Sequence, residues 1–394
     1  MRQVLGLVHR WLGLVMAMFL ILASCTGMCI TWFDELDRLA WPAVRAVKAP
    51  SPSARSLDPL ALRRTVLQTH PGMRIDRLEL APRASADLPV RLALTPIASD
   101  DSEPAIEYWF DPYTGREVGQ RHWGDLYEGR KNLMPFIYRL HESLALDTWG
   151  SYVLGIIALM WSIDCFVGAY LTFPRGRPFF KKWRPSWLVK KQRLNFDLHR
   201  ASGLWVWAML FVMAWSSVGF NLRPVYIPVM QTLFTYHDDW AELPDLPQPR
   251  SIPLLDFDDA LPVGRSLAID EAHKIGFWID RETRLMYVPE KGLYAYAFRS
   301  DRDVRSAGGD TTVWFDGQTG QLVRISIPTG QYSGNTIANW IATLHTAGLG
   351  GTPYRAFITM IGMIVAMLSV TGFIVWWRKR RARHIHHRLR AKRA

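Results

Sequence analysis

The chain has 394 residues, a formal net charge of +12 and a hydrophobic content of 49%. That length allows two or three domains. The three cysteines, Cys25, Cys29 and Cys165, all fall in apolar stretches, which excludes a disulfide framework in the polar segments.

Four stretches are long, apolar and almost free of charge: 11–33, 151–173, 204–222 and 357–377. A helix rises about 1.5 Å per residue, so about 20 residues cross the ~30 Å hydrocarbon core. Each stretch therefore reads as a transmembrane helix. Residues 1–33 hold the first. Arg2 and Arg10 precede its apolar run, as in a signal peptide. The run is longer than the roughly 7–15 residues of a signal core and no clean small-x-small site follows, so the helix is expected to be retained.

Residues 34–134 read as a first α+β domain. Segment 57–68 has helical periodicity through Leu60, Leu62, Val66 and Leu67, and 74–80 and 90–94 alternate as half-buried strands do. A strand at 106–110 and the turn 111–115 follow. The second transmembrane helix occupies 135–173, a basic loop 174–195 and the third helix 196–222. Residues 223–339 repeat the first polar segment: a helix over 258–275, interrupted early by Pro262 and Gly264, then strands at 285–288, 293–298 and 312–315 and the turn 316–320. The fourth helix spans 340–377 and a basic tail 378–394. Asp164 is the one acid clearly inside a span, where it is expected to pair with a neighbouring helix or to relay protons.

Charge placement sets the expected orientation. The loop carries Arg175, Arg177, Lys181, Lys182, Arg184, Lys190, Lys191 and Arg193 with no acid, and the tail is equally one-signed. The positive-inside rule puts both in the cytoplasm, with the N-terminus on the same side and the two polar domains outside. Basic runs beside spans meet anionic lipid headgroups, so no nucleic-acid partner is expected.

The chain repeats itself. Trp109-Phe-Asp-Pro-Tyr-Thr-Gly115 matches Trp314-Phe-Asp-Gly-Gln-Thr-Gly320, and His9-Arg10-Trp-Leu-Gly-Leu14 matches His199-Arg200-Ala-Ser-Gly-Leu204. Leu140-His141 and Leu344-His345 close the two halves at near-equal spacing. The same elements in the same order, with both halves starting inside, make parallel repeats. The W-F-D-x-x-T-G motif is explained by a hairpin turn and is assigned no chemistry.

The repeat gives the histidines meaning. His9 and His199 share the inner depth; His141 and His345 share the outer depth. Two histidines facing each other at one depth of a helix bundle suit a six-coordinate haem iron, so two pairs make two haem sites. Arg10 and Arg200 stand where a guanidinium would meet a haem propionate, and equally where ordinary positive-inside arginines belong. Met16, Met18, Met209 and Met213 are the weaker axial candidates. Packing explains them, as it explains Cys25 and Cys29. The H-x-H-H run at His384, His386 and His387 reads as a solvated tail, and His70, His122, His237 and His273 lack ligand spacing.

The H-R-x-x-G-L openings, the W-F-D-x-x-T-G turns, the L-H returning helices and the V-T-G-F-I-V-W-W-R ending resemble PepSY-associated transmembrane proteins over essentially the whole chain. Within them the chain looks most like the inner-membrane siderophore reductases. The resemblance implies a multi-pass protein of the bacterial inner membrane with periplasmic PepSY-like domains and haem b. It implies His9, His141, His199 and His345 as axial ligands, and reduction of Fe(III) in ferric siderophores. The chain carries no Gly-rich dinucleotide fingerprint, so a separate electron donor is expected, a quinol or a cytoplasmic flavoprotein. Substrate contact is expected between the two outer domains, near Trp109, Tyr113, Trp123 and Trp314. Two other classes stay open at this point: a transporter, which parallel repeats would suit, and a non-catalytic regulator, which predicts no pigment.

Overall fold

The computed structural model describes the chain except for residues 43–46, 48, 52–53, 81–87, 98–105, 174–190 and 392–394, and the side chains of 191–193 and 383–391. The basic loop and the tail histidines His384, His386 and His387 thus lie outside the described residues. In chain order the elements are α1 (Arg2–Ile30), α2 (Phe33–Ala40), α3 (Pro59–Thr69), β1 (Met73–Arg74), β2 (Arg77–Glu79), β3 (Val90–Pro96), β4 (Ile106–Phe110), β5 (Glu117–His122), α4 (Leu133–Ser143), α5 (Asp147–Thr172), α6 (Lys191–Trp205) and α7 (Trp207–Asn221). They continue with α8 (Arg223–Leu233), α9 (Asp239–Glu242), α10 (Phe257–Ile275), β6 (Ile279–Val288), β7 (Leu293–Ser300), β8 (Thr311–Asp316), β9 (Leu322–Ser326), α11 (Ser333–His345) and α12 (Gly351–Ala391).

These elements fall into two compact units. A helical unit comprises Met1–Trp32, Ile137–Pro228 and Leu344–Ala394; a sheet unit comprises Phe33–Phe136 and Val229–Thr343.

In the helical unit α1 packs along α12 and α5, α5 along α7, and α6 along α12. Among the described residues three helices are long and apolar enough to cross a membrane: α1, α5 and the Gly351–Ala382 part of α12. The third expected span is broken, with α6 and α7 bent by 70° at Val206, so it is a fourth crossing only if the pair counts as one span. The bend has a local cause. Ser202 and Gly203 precede it, and the Ser202 hydroxyl donates back to the Leu198 carbonyl, competing with the helical ladder. The Val206 amide reaches the Ser202 carbonyl only at 3.3 Å.

His141 and His345 stand on short helices, α4 and α11, rather than on the long helices that follow. A turn with a non-glycine residue in the left-handed region separates each short helix from its successor: Ala145 at φ 56° in the first half and Ala347 at φ 54° in the second. Such residues are uncommon and carry a cost that the surrounding packing must offset.

The sheet unit joins both polar segments. An antiparallel sheet β1-β3-β4-β5 comes wholly from the first. The second sheet runs β2-β6-β7-β8-β9, so one strand of the first segment is lent to the second, with Leu78 paired to Leu285. The segments read from sequence as one domain each share a single core: Leu62, Val66, Leu94 and Phe110 belong to the same buried cluster as Phe257, Tyr294, Phe298 and Phe315. Helices α3 and α10 start alike, with Asp58 and Asp256 side chains accepting the amides of Leu60 and Asp258. The repeated turns also match. Asp111 accepts the Tyr113 amide and Asp316 the Gln318 amide, both at 2.8 Å, and Gly115 and Gly320 supply positive φ. Each half has a register shift at the same place, Trp109/Phe110 and Trp314/Phe315. The strands β5 and β9, with mixed polar sequences, do not stand out by alternation.

Candidate functional site

His9 on α1 and His199 on α6 come together, with ring centres 6.2 Å apart and planes inclined by 61°. Metal–imidazole bonds of about 2.0 Å, with about 1.1 Å more from nitrogen to ring centre, set two trans axial imidazoles roughly 6.3 Å apart. The ring-centre separation of the pair is close to that figure.

Both rings are tied through Nδ1. The His9 Nδ1 lies 2.9 Å from each carboxylate oxygen of Asp164 on α5. The His199 Nδ1 lies 3.0 Å from the Leu368 carbonyl and 3.1 Å from the Thr371 hydroxyl, both on α12. An acceptor on Nδ1 fixes the tautomer and turns Nε2 into the available lone pair. Asp164 therefore pairs with a neighbouring helix, one of the two roles its position suggested.

The His141–His345 pair is built the same way. The Thr26 hydroxyl on α1 meets the His141 Nδ1 at 3.0 Å, and the Ser216 hydroxyl on α7 meets the His345 Nδ1 at 2.6 Å. Thr26 and Ser216 follow His9 and His199 by the same number of residues, so the repeat carries the anchoring hydroxyl as well as the ring. The Phe220 ring packs edge-on against His345, and His345 lies within electrostatic reach of His141.

Glycines let the rings approach. A Cβ on Gly168 would stand 3.4 Å from the His9 Cε1, and one on Gly372 3.2 Å from the His199 Cε1. These two glycines also occupy equivalent repeat positions, each the same distance in sequence after His141 or His345.

A cavity of about 430 Å³ opens between the helices, lined by His9, Arg10, Asp164, His199, Arg200 and Trp376 among others. That is within the roughly 300–1,000 Å³ of cofactor pockets. The Arg10 Nε is buried there with no hydrogen-bond partner among the described residues, and the Arg200 Nη2 donates to Asp197 at 3.1 Å. The residues fit a haem: paired imidazoles at bonding separation, a cavity with mainly apolar walls, and a cation left for a carboxylate. Met16 lines the cavity while Met18 is exposed. Cys25, Cys29 and Cys165 are free thiols, and among the described residues no three His, Cys, Asp or Glu side chains cluster as a metal site.

Of the aromatic residues named for substrate contact, Trp109, Trp123 and Trp314 pack within the sheet unit. Trp314 is buried with Leu243, Val288 and Leu293, and its indole donates to Ser326. Trp109 and Trp123 flank the guanidinium of fully buried Arg121, which is held by Asp37 and Glu107. His122 and His237 pair with Glu128 and Glu242, and His70 lies 3.4 Å from Glu117.

Sequence reasoning missed Thr26, Ser216 and Thr371. The signal for the first two was present: a hydroxyl residue at one repeat position in both apolar stretches.

The profile of the family described as PepSY-associated TM region matches residues 7–379, and the chain belongs to that family. Among curated proteins none matches the chain.

Proposed function

We propose that this member of the PepSY-associated TM family is a haem-containing membrane reductase. In this reading it takes electrons from a quinol or a cytoplasmic flavoprotein and delivers them to Fe(III) in ferric siderophores on the far side of a bacterial inner membrane. The observation that carries the reading is the His9–His199 pair, 6.2 Å between ring centres with both Nδ1 atoms engaged. Haem held by two imidazoles supplies reversible one-electron chemistry at its iron.

The chain's own residues supply position and insulation. His9 and His199 would hold one haem b and His141 and His345 a second. Asp164, Thr371, Thr26 and Ser216 lock the rings so that little reorganisation accompanies a change of charge. Gly168 and Gly372 keep the space beside the inner rings open, and Arg10 is placed for a propionate. The apolar helices exclude water from the path. Hard oxygen donors of a siderophore favour Fe(III) over Fe(II), so a delivered electron loosens the chelate and frees the iron.

The test is to reduce the detergent-solubilised protein with dithionite, remove the excess, and mix it with ferric siderophores of the hydroxamate and catecholate classes. The haem absorbance should return to its oxidised form as Fe(II) appears in a trapping chelator. Protein that stays reduced with every ferric chelate would remove the siderophore from the proposal.

A further inference from the structure

The Nδ1 partners of the two histidine pairs differ in one charge. Three of the four rings have neutral Nδ1 partners: hydroxyls for His141 and His345, and a carbonyl with a hydroxyl for His199. His9 alone faces a carboxylate, with both Asp164 oxygens at 2.9 Å. Asp164 is 7% exposed, on a helix otherwise apolar enough to cross a membrane. The repeat makes the contrast sharper. The second-half position equivalent to Asp164 is Leu368, whose backbone carbonyl accepts from His199 where the first half uses an acid side chain. A buried acid in a span is costly, and here a leucine at the matching place does the anchoring by its backbone.

From this asymmetry we infer that Asp164 is a potential-setting residue, which holds the His9–His199 site at a lower reduction potential than the His141–His345 site. The inference rests on the haem reading above. A carboxylate on Nδ1 pushes electron density through the ring and makes Nε2 a stronger donor. It also places a full negative charge near the iron in a medium of low dielectric, where it is poorly screened. Both effects favour the more positive, ferric state. Hydroxyls on Nδ1 do less of the first and none of the second. The step biased is the passage of one electron from the His9–His199 side to the His141–His345 side. One iron is oxidised and the other reduced, no bond forms or breaks, and no proton need move. The electron itself comes from the quinol or flavin donor. Asp164 touches neither donor nor substrate; it acts through His9.

The test is spectroelectrochemical titration of the purified full-length protein beside Asp164→Asn and Asp164→Glu. Asparagine can accept the Nδ1 hydrogen bond without the charge, and glutamate restores the charge. The wild-type protein should titrate in two one-electron steps. In Asp164→Asn the lower step should move up by at least about 59 mV, tenfold in the equilibrium between the sites, with the upper step unmoved. Asp164→Glu should stay near wild type. His9→Ala should abolish the same lower step, which assigns it to this site. Two bound haems with unchanged potentials in Asp164→Asn overturn the inference alone. Wild-type protein without haem overturns the reading beneath it, and the inference with it. If Asp164→Asn loses one haem, wild-type-like potentials in Asp164→Glu support the charge role, and a raised lower step there overturns it.

Discussion

The two halves of the chain put the same histidines on corresponding elements and then surround them differently. What they share is what a ring needs in order to be a ligand: a hydroxyl at Thr26 or Ser216 and a glycine at Gly168 or Gly372. What they do not share is the charge at one equivalent position, Asp164 in the first half and Leu368 in the second. The sheet unit teaches a parallel lesson. Both halves keep the Asp-capped turn and the strand irregularity beside it, yet β2 leaves the first sheet and completes the second. The repeat therefore preserves local geometry that has a chemical or steric reason, and lets the rest diverge.

The largest expected effects remove a ligand. His9→Ala or His199→Ala should cost one of the two proposed haems, and His141→Ala or His345→Ala the other, as read by haem content per chain. If any of these alanines left haem content unchanged, the histidine it replaced would not be a ligand.

The shared core gives the next effect. Phe110 in β4 and Phe315 in β8 are fully buried, and both lie in one cluster. Replacing either with alanine should cost about 3–5 kcal/mol. Because the core is common, each change should loosen both segments together, with proteolysis sites appearing in both. Loosening confined to the mutated segment would separate the halves that the structure joins.

A smaller effect tests the glycines. Gly372→Val should disturb the inner site more than Gly168→Val, because its Cβ would start closer to the imidazole, 3.2 Å against 3.4 Å. Weakened haem retention of roughly tenfold is expected for Gly372→Val, the scale of lost positioning at a ligand. Equal retention in both variants would show that the helices yield at this contact.

The smallest effect is a pH dependence in the first half. Burial opposes ionisation of Glu128, but hydrogen bonds from His122 and Lys131 win and hold its carboxyl down to about 2. A lowered carboxyl stabilises the fold above the unfolded value of about 4.3. That stability is lost as pH falls toward 2. Glu128→Gln should thus lower stability at pH 7 by less than about 1 kcal/mol in this partly exposed setting, read as a slightly lower melting temperature. The gap should close as the pH falls through that window. A gap that persisted at pH 2 would assign Glu128 a packing role instead.

Much of this was legible in the residues. The apolar runs, the four histidines and their pairing by depth follow from length, spacing and repetition. The bend at Val206 was not, because a Ser-Gly pair in an apolar run is common and its hydroxyl's back-bond shows only in three dimensions. The pairing of β2 with β6 was hidden because strand alternation reveals a face, never a partner. The partner of Asp164 was hidden because spacing along one helix names no residue on another, and the His9 contact supplies it. The broken link between α4 and α5 was invisible for a related reason: Leu144, Ala145 and Asp147 adopt positive φ without a glycine to signal it.

The central claim is that the repeat builds two bis-histidine haem sites. The most direct measurement is haem stoichiometry by pyridine haemochrome on detergent-purified protein expressed with haem supplied, with a low-temperature EPR spectrum of the oxidised sample. The account requires two b-type haems per chain, both low-spin. A colourless protein, or haem that is high-spin and unaffected by His9→Ala and His141→Ala, would contradict it.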